Sequence, residues 1–539
     1  MAIVTHLPPE ILHHIFRWLS PLELLLLPLV CRIFHHHVKG NRALFHDAYK
    51  LLLDTPQDGD IALDWEAELR RIARLEAICQ RSTAAEKESE LEFVAETVDR
   101  LLSLARSQGR TTDNSHTHAA SHNAQLLARL FKEPSTREAF LQRSFLFERV
   151  RGCGASDGWG PTALRLSDPP KRHHQLSAKL HCLYGRPILN IGRLRSTRTY
   201  PFAVSKVYDL RHFTARTRWG PFLDDGSDGV DWEKVEAILV VLGYNLSLRR
   251  VMKLFADVWD SPFSGTWPRS YIPSPWPGPS LTPLEASDPY GATGTWYRVI
   301  CFLDFNDFFK FNFPVGPAFG HSSNVPRPPL NVGEATRLIV MRIQVTAVEP
   351  PGPEDGQSLP VVRFKGVSRS LDDSWDDNAN SDIRAFTSTG SVRLTREGEV
   401  RWTTVSVVHG EERWRSEGVQ LGGVRSARGV VGNWFDSNYD DEGPAGPTAF
   451  WKATDSRTAG DTIHNLLTDN FLVTYNTMAY MEDSDPEAEM DYEMQDEEEE
   501  EDEEVDSEPV AGEIPGLLLD AQLEVSDLVA GNTTVMDDG

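Results

Sequence analysis

Apolar residues recur at helical spacing near the start of the chain, at Leu7, Ile11, Leu12, Ile15, Phe16 and Leu19. Ser20 then precedes Pro21, with Glu23 three residues after it, an arrangement that caps and restarts a helix. Pro28 interrupts that helix. Val30, Phe34 and Val38 carry the apolar series onto another short helix, which Gly40 can end. Residues 5–50 are therefore expected to form short helices joined by abrupt turns. Residues 61–107 repeat the 3.6-residue period with charged outer faces. The polar stretch 108–123 reads as a loop. Helical patterns return at 124–150, at 173–184 and in VDWEKVEAILVVLGYNL, where Asp231 is a candidate N-cap.

The texture changes after residue 261. Residues 262–289 hold eight prolines and predict a long irregular connection. Beyond it, runs such as TWYRVICFLDF, TRLIVMRIQVTAV and GSVRLTREGEVRWTTVSVV are rich in Val, Ile, Thr and Trp and read as strands. Gly398 marks a hairpin within LTREGEVRW. The expected fold class is α+β multidomain: short helices at 1–50, a mainly helical region at 51–260 and a Pro-rich connection at 261–294. An antiparallel sandwich or barrel follows within 295–481, and an acidic, disordered tail at 482–539.

Charge changes the picture only at that tail. The 539 residues carry a net charge of −26, but residues 482–539 hold 24 Asp and Glu with no Lys or Arg. The body is left with a net of −2, which is not the balance of a general nucleic-acid binder. The five cysteines are scattered and form no CxxC pair, as expected in a reducing compartment. No apolar run is long enough to span a membrane and no signal-peptide pattern is present, so cytoplasm or nucleus is expected. One basic block stands out. Residues 171–218 contain 11 Lys and Arg and a single acid, Asp209. The block reads as a cationic face that meets acids elsewhere, the tail included, and the tail is expected to cover it and compete with an acidic target.

The opening segment LPPEILHHIFRWLSPLELLLLPLVCRIF, followed by RALFHDAY, resembles the F-box. Leu7, Pro8, Glu10, Ile11 and Leu12 match its first motif; Ile15, Phe16 and Leu19 continue it; Val30, Cys31 and Arg32 supply a later step. Phe34 stands near the usual tryptophan, and Leu44 and Phe45 replace the final Leu-Trp. Two further segments, WGPFLDDGSDGVDWEKVEAILVVLGYNL and RGVVGNWFDSNYDDEGPAGPTAFWK, resemble a filamentous-fungal F-box family with a β-rich C-terminal region. A looser likeness connects the architecture with an animal F-box protein that captures cyclin D through a barrel.

The resemblance implies docking on a Skp adaptor, which a cullin scaffold and a RING subunit complete as a ubiquitin ligase, with an unknown protein substrate. The alternative is an F-box scaffold acting with the adaptor alone. The implied adaptor-binding residues are Leu7, Pro8, Ile11, Leu12, Ile15, Phe16, Leu19, Leu25, Val30, Cys31 and Phe34. A helical unit this small is marginal alone, and a partner covering its apolar side would stabilise it. In the β-rich region, Trp402, Trp414, Arg415, Trp434 and Phe435 are candidate substrate contacts, since aromatic and Arg side chains dominate hot spots.

Catalytic and cofactor chemistry finds no support in the motifs. GCGASDGWG places Asp157 where a dinucleotide loop needs its third glycine. GxxxxGK[ST], GxSxG and HExxH are absent. His35, His36 and His37 point in three directions on a helix and cannot share a metal. His116, His118 and His122 lie in a polar loop without a Cys or carboxylate cluster. The acidic turns LDDGSDGVD and DDSWDDNANSD lack calcium-loop spacing. No catalytic residue, metal or cofactor is expected.

Overall fold

The structure, a computed structural model, describes residues 7–454 except 56–62, 108–120, 153–170, 190–194, 249–258, 260, 272–281, 315–326, 371–384, 409 and 441. The acidic tail therefore lies outside the described residues. Among these, no helix is long and apolar enough to cross a membrane.

Four short helices open the chain: α1 (Pro9–Phe16), α2 (Pro21–Leu26), α3 (Arg32–Val38) and α4 (Arg42–Leu52). Ser20 and Glu23 form the expected reciprocal cap of α2. Glu23 N donates to Ser20 Oγ at 3.3 Å, and Ser20 N donates to Glu23 Oε2 at 2.9 Å. Pro28 sits in a single 3₁₀ turn, Leu27–Leu29, and Gly40 follows α3 with φ +71°.

The helical region continues through α5 (Trp65–Cys79), α6 (Ala84–Glu88), α7 (Leu91–Leu104), α8 (His122–Leu130), α9 (Pro134–Leu141) and α10 (Phe145–Gly152). It ends with α11 (Arg172–Tyr184), α12 (Arg195–Val207) and α13 (Trp232–Leu248). One apolar core joins this region to the opening helices. Leu12, Phe16 and Phe34 share a buried cluster with Leu69 and Val98 of α5 and α7, and with Leu183 of α11.

The Pro-rich connection is irregular, as expected, but its first part is packed rather than loose. Phe263 and Trp267 are buried in the helical core, Phe263 with its ring 5.2 Å from that of Phe131. Arg428 locks this strap to the sheet. It is fully buried and donates to the carbonyls of Ser264, Trp259 and Tyr184. Gly185, ending α11 at φ +84°, makes room for it: a Cβ there would lie 1.2 Å from Arg428 Nη2.

Of the two β architectures expected, the chain adopts the barrel. Strands β1 (Gly294–Phe302), β2 (Ala335–Glu349), β3 (Val361–Ser370), β4 (Ala385–Leu394), β5 (Val400–Val408), β6 (Glu411–Gln420), β7 (Val430–Asp436) and β8 (Ala445–Thr454) pair in sequence order. All neighbours are antiparallel, and β8 closes on β1. The β4–β5 hairpin turns at Gly398, with φ +88°. Side chains on strands that are not neighbours identify the inside. Trp296 on β1 and Trp402 on β5 have ring centroids 5.0 Å apart, and Phe450 on β8 lies 5.5 Å from Trp402. Such contacts can only cross the interior.

Candidate functional site

The opening helices bury one side and leave the other bare. Leu12, Phe16 and Phe34 face the shared core, and the Phe16 and Phe34 rings meet edge to face at 5.1 Å. Ile11, Ile15, Trp18, Leu22, Leu26, Leu29, Val30 and Ile33 are exposed, with Leu29 at 80%. Solvated proteins rarely leave so many large apolar side chains together, and such a face marks an interaction surface.

The residues expected to bind an adaptor thus divide. Ile11, Ile15 and Val30 lie on the bare face, and Pro8 is exposed beside it. Leu7, Leu19, Leu25 and Cys31 are half-buried. Leu12, Phe16 and Phe34 are buried and support the face from behind. Trp18, Leu22, Leu26, Leu29 and Ile33 were not singled out. Their signal was present: a helix whose apolar residues exceed one stripe has a second face to cover.

A cavity of about 240 Å³ lies between residues 210–219 and the barrel. Phe213, Trp219, Phe435 and Tyr439 supply aromatic walls. The Trp219 and Tyr439 ring centroids are 4.3 Å apart, and Arg415 lies over the Tyr439 ring at 5.4 Å. Trp219 and Tyr439 both adopt left-handed backbone, at φ +54° and +58°, a costly conformation for large side chains and one that concentrates at binding sites. Arg211 and Arg327 line the cavity floor. Arg211 grips the buried Asp209 with Nε at 2.8 Å and Nη2 at 2.7 Å. Burial raises the pKa of Asp209, but the Arg211 hydrogen bonds and the charges of His212, Arg211 and Arg327 outweigh it and leave the carboxyl below its ordinary range.

The expected substrate contacts fall in three places. Trp402 is corrected to a core residue. It is 1% exposed, and its Nε1 donates to Gln420 inside the barrel. Trp434 is also buried and donates its Nε1 to the Cys301 carbonyl, while the partly exposed Trp414 meets it edge to face at 5.3 Å. Register puts both on the inner wall, since Trp402 pairs with Gly418, and Ser416 pairs with Trp434. Arg415 and Phe435, one residue on, point outward, Phe435 into the cavity.

The basic block is not a bare cationic face. Lys179 pairs with Asp99 at 2.8 Å, Lys206 with Asp231 at 3.4 Å, Arg216 with Asp224 at 3.1 Å and Arg218 with Asp228 at 3.0 Å. Arg172 pairs with Glu92, and Arg211 with Asp209. Most of its described cations thus have acids within the fold, and the tail expected to cover them lies outside the described residues. Glu148, His173 and His174 form one grouping that the motif reading passed over, with ligand atoms within 4.8 Å of one another. Within it Glu148 Oε1 and His174 Nε2 lie 2.8 Å apart.

Comparison with known proteins bears on the first of these surfaces. No curated protein and no solved structure matches the chain. Residues 4–50 match the family model described as F-box-like. That span contains the capped short helices and the whole of the bare apolar face, and the chain accordingly carries an F-box-like domain at residues 4–50.

Proposed function

We propose that this chain is the target-recruiting, non-catalytic subunit of an SCF-type cullin–RING ubiquitin ligase, working in the cytoplasm or nucleus. The observation that carries this reading is the exposed apolar face of the F-box-like domain, from Ile11 to Ile33, on helices whose opposite side is locked into the body of the protein. A Skp adaptor covers that face. The body then holds a target at a fixed distance from the ligase, and the gain is effective concentration rather than bond chemistry. Transfer of ubiquitin belongs to the other subunits. The aromatic cavity of Trp219, Phe435 and Tyr439 is the preferred target contact, since rigid aromatic walls with strained backbone suit one anchoring side chain. The test is co-purification of the full chain with a Skp adaptor and a cullin. Recovery of both supports the ligase reading. Adaptor without cullin, under conditions where another F-box protein retains both, supports the scaffold alternative, and loss of both overturns the assignment.

A further inference from the structure

The barrel interior has two unlike halves. Trp296, Phe364, Trp402 and Phe450 fill one end. The strand register carries the same inner face toward the other end through Arg298, Ile300 and Phe302 on β1, and Arg337 and Ile339 on β2. Beyond Arg298, toward this end, the usual burial is inverted. Outward-facing Val299, Leu338 and Val340 are buried, whereas inward-facing Ile300, Phe302, Arg337 and Ile339 are partly exposed. Solvent thus reaches these inner side chains at this end of the interior.

Arg298 lies just above the aromatic plug and spans the interior. Its Nε donates to Thr448 Oγ1 on β8 at 2.9 Å, and its Nη1 reaches Thr404 Oγ1 on β5, across the barrel, at 3.5 Å. It is 8% exposed. Its remaining ring contact is Phe450, 5.9 Å from the guanidinium carbon. Burial pulls its pKa down to about 10, so it still carries its charge at neutral pH. Arg337 is its diagonal neighbour on the same face, since Arg298 pairs with Ile339 and Ile300 with Arg337. Its guanidinium rests 6.0 Å from the Phe302 ring. Neither arginine has a carboxylate partner among the described residues.

A buried guanidinium normally has an acid beside it, as Arg401 has Glu417 on the outer face of this same barrel at 2.8 Å. Around Arg298 stand hydroxyls instead. Thr404 Oγ1, which Arg298 reaches, lies 2.5 Å from Ser416 Oγ, and both are on inward positions. Hydroxyls can donate to an anion that enters from the open end, and guanidinium groups bind carboxylates and phosphates in a fixed fork.

We propose that the open half of the barrel is an anion-binding cup, in which Arg298 and Arg337 take a carboxylate or phosphoryl group. That a recruited target presents this group rests on the receptor reading above; that the cup binds an anion does not. Trp414 and Trp434 wall the same cup, so the group would enter past aromatic rings.

The test uses the full chain, with thermal unfolding followed in sodium phosphate, sodium acetate and sodium chloride at equal ionic strength. The expected result is a Tm raised by about 2–4 °C over chloride in phosphate, acetate or both. The rise should fall in Arg298→Met to the general salt effect alone. Removal of an unpaired buried charge should leave that variant folded. Arg337→Gln, at the partly exposed position, should reduce the rise without loss of fold. A rise in phosphate alone that Arg298→Met removes assigns a phosphoryl group; such a rise in acetate assigns a carboxylate. Equal Tm in all three salts, or a rise in Arg298→Met as large as in the natural protein, overturns the proposal. A cup that binds anions in a protein that recovers no adaptor would overturn the receptor reading and leave the cup standing.

Discussion

Asp209 is the single acid in the basic block, and it holds together the floor of the aromatic cavity. Its carboxylate is gripped by Arg211, lies 3.9 Å from Arg327 and is 3% exposed. Its folded-state pKa lies below the unfolded value of about 3.9. The stabilisation is therefore complete above about pH 4 and is lost as pH falls through the folded value. Asp209→Asn should show a shallower fall of Tm with pH below about 4 than the natural protein, measured by circular dichroism. An equal slope would mean that other carboxylates set the acid limit. The role of Asp209 could not be read from the sequence, where an isolated acid among bases has no assigned partner. By contrast, the Ser20–Glu23 cap and the Gly398 turn depend on residues three or four apart, and both were legible.

Within an element, neighbours along the chain separate onto different faces, and this limited the reading of single residues. Ile15 and Phe16 adjoin in sequence, yet Ile15 is 43% exposed and Phe16 3%. Phe16→Ala should cost about 3–5 kcal/mol of stability by leaving a cavity beside Phe34. Leu29→Glu should change stability by no more than about 0.5 kcal/mol and weaken adaptor binding roughly thirtyfold or more. Chemical denaturation and a pull-down, run on the same two variants, check the pair. A stable Phe16→Ala protein, or full adaptor binding by Leu29→Glu, would show that the two faces have been exchanged. In the strands the same alternation separates Trp414 from Arg415 and Trp434 from Phe435. Composition marked these segments as binding surface, but only register decides which residue enters the barrel and which lines the cavity outside it.

At the scale of the whole molecule, the described residues all belong to one compact unit. The change from helical to strand texture in the sequence is real, but it is not a line along which the fold comes apart. Leu180, Leu183 and Tyr184 pack with Phe131, Phe140, Phe263 and Trp267, and Arg428 of the barrel reaches carbonyls on α11 and on the strap. A fragment beginning at residue 160 would remove α1–α10 and expose that core. It should aggregate or unfold without a cooperative transition, whereas residues 1–472 should retain the Tm of the full chain, as differential scanning calorimetry would record. A cooperative transition in the short fragment would make the barrel a free-standing domain. Local periodicity carried the helices, the strands and the F-box-like opening; the burial of the Pro-rich strap and the contents of the barrel depend on contacts more than a hundred residues apart, which no local pattern encodes. Closure of the barrel has one more consequence. With β8 hydrogen-bonded to β1, every strand of the described barrel has a hydrogen-bonded neighbour on both sides. A target segment cannot be held by adding itself as a ninth strand, the mode in which main-chain bonds supply affinity whatever the sequence. Whatever binds the barrel must be distinguished by its side chains or end groups, which makes the barrel selective by construction and leaves it no edge on which to polymerise.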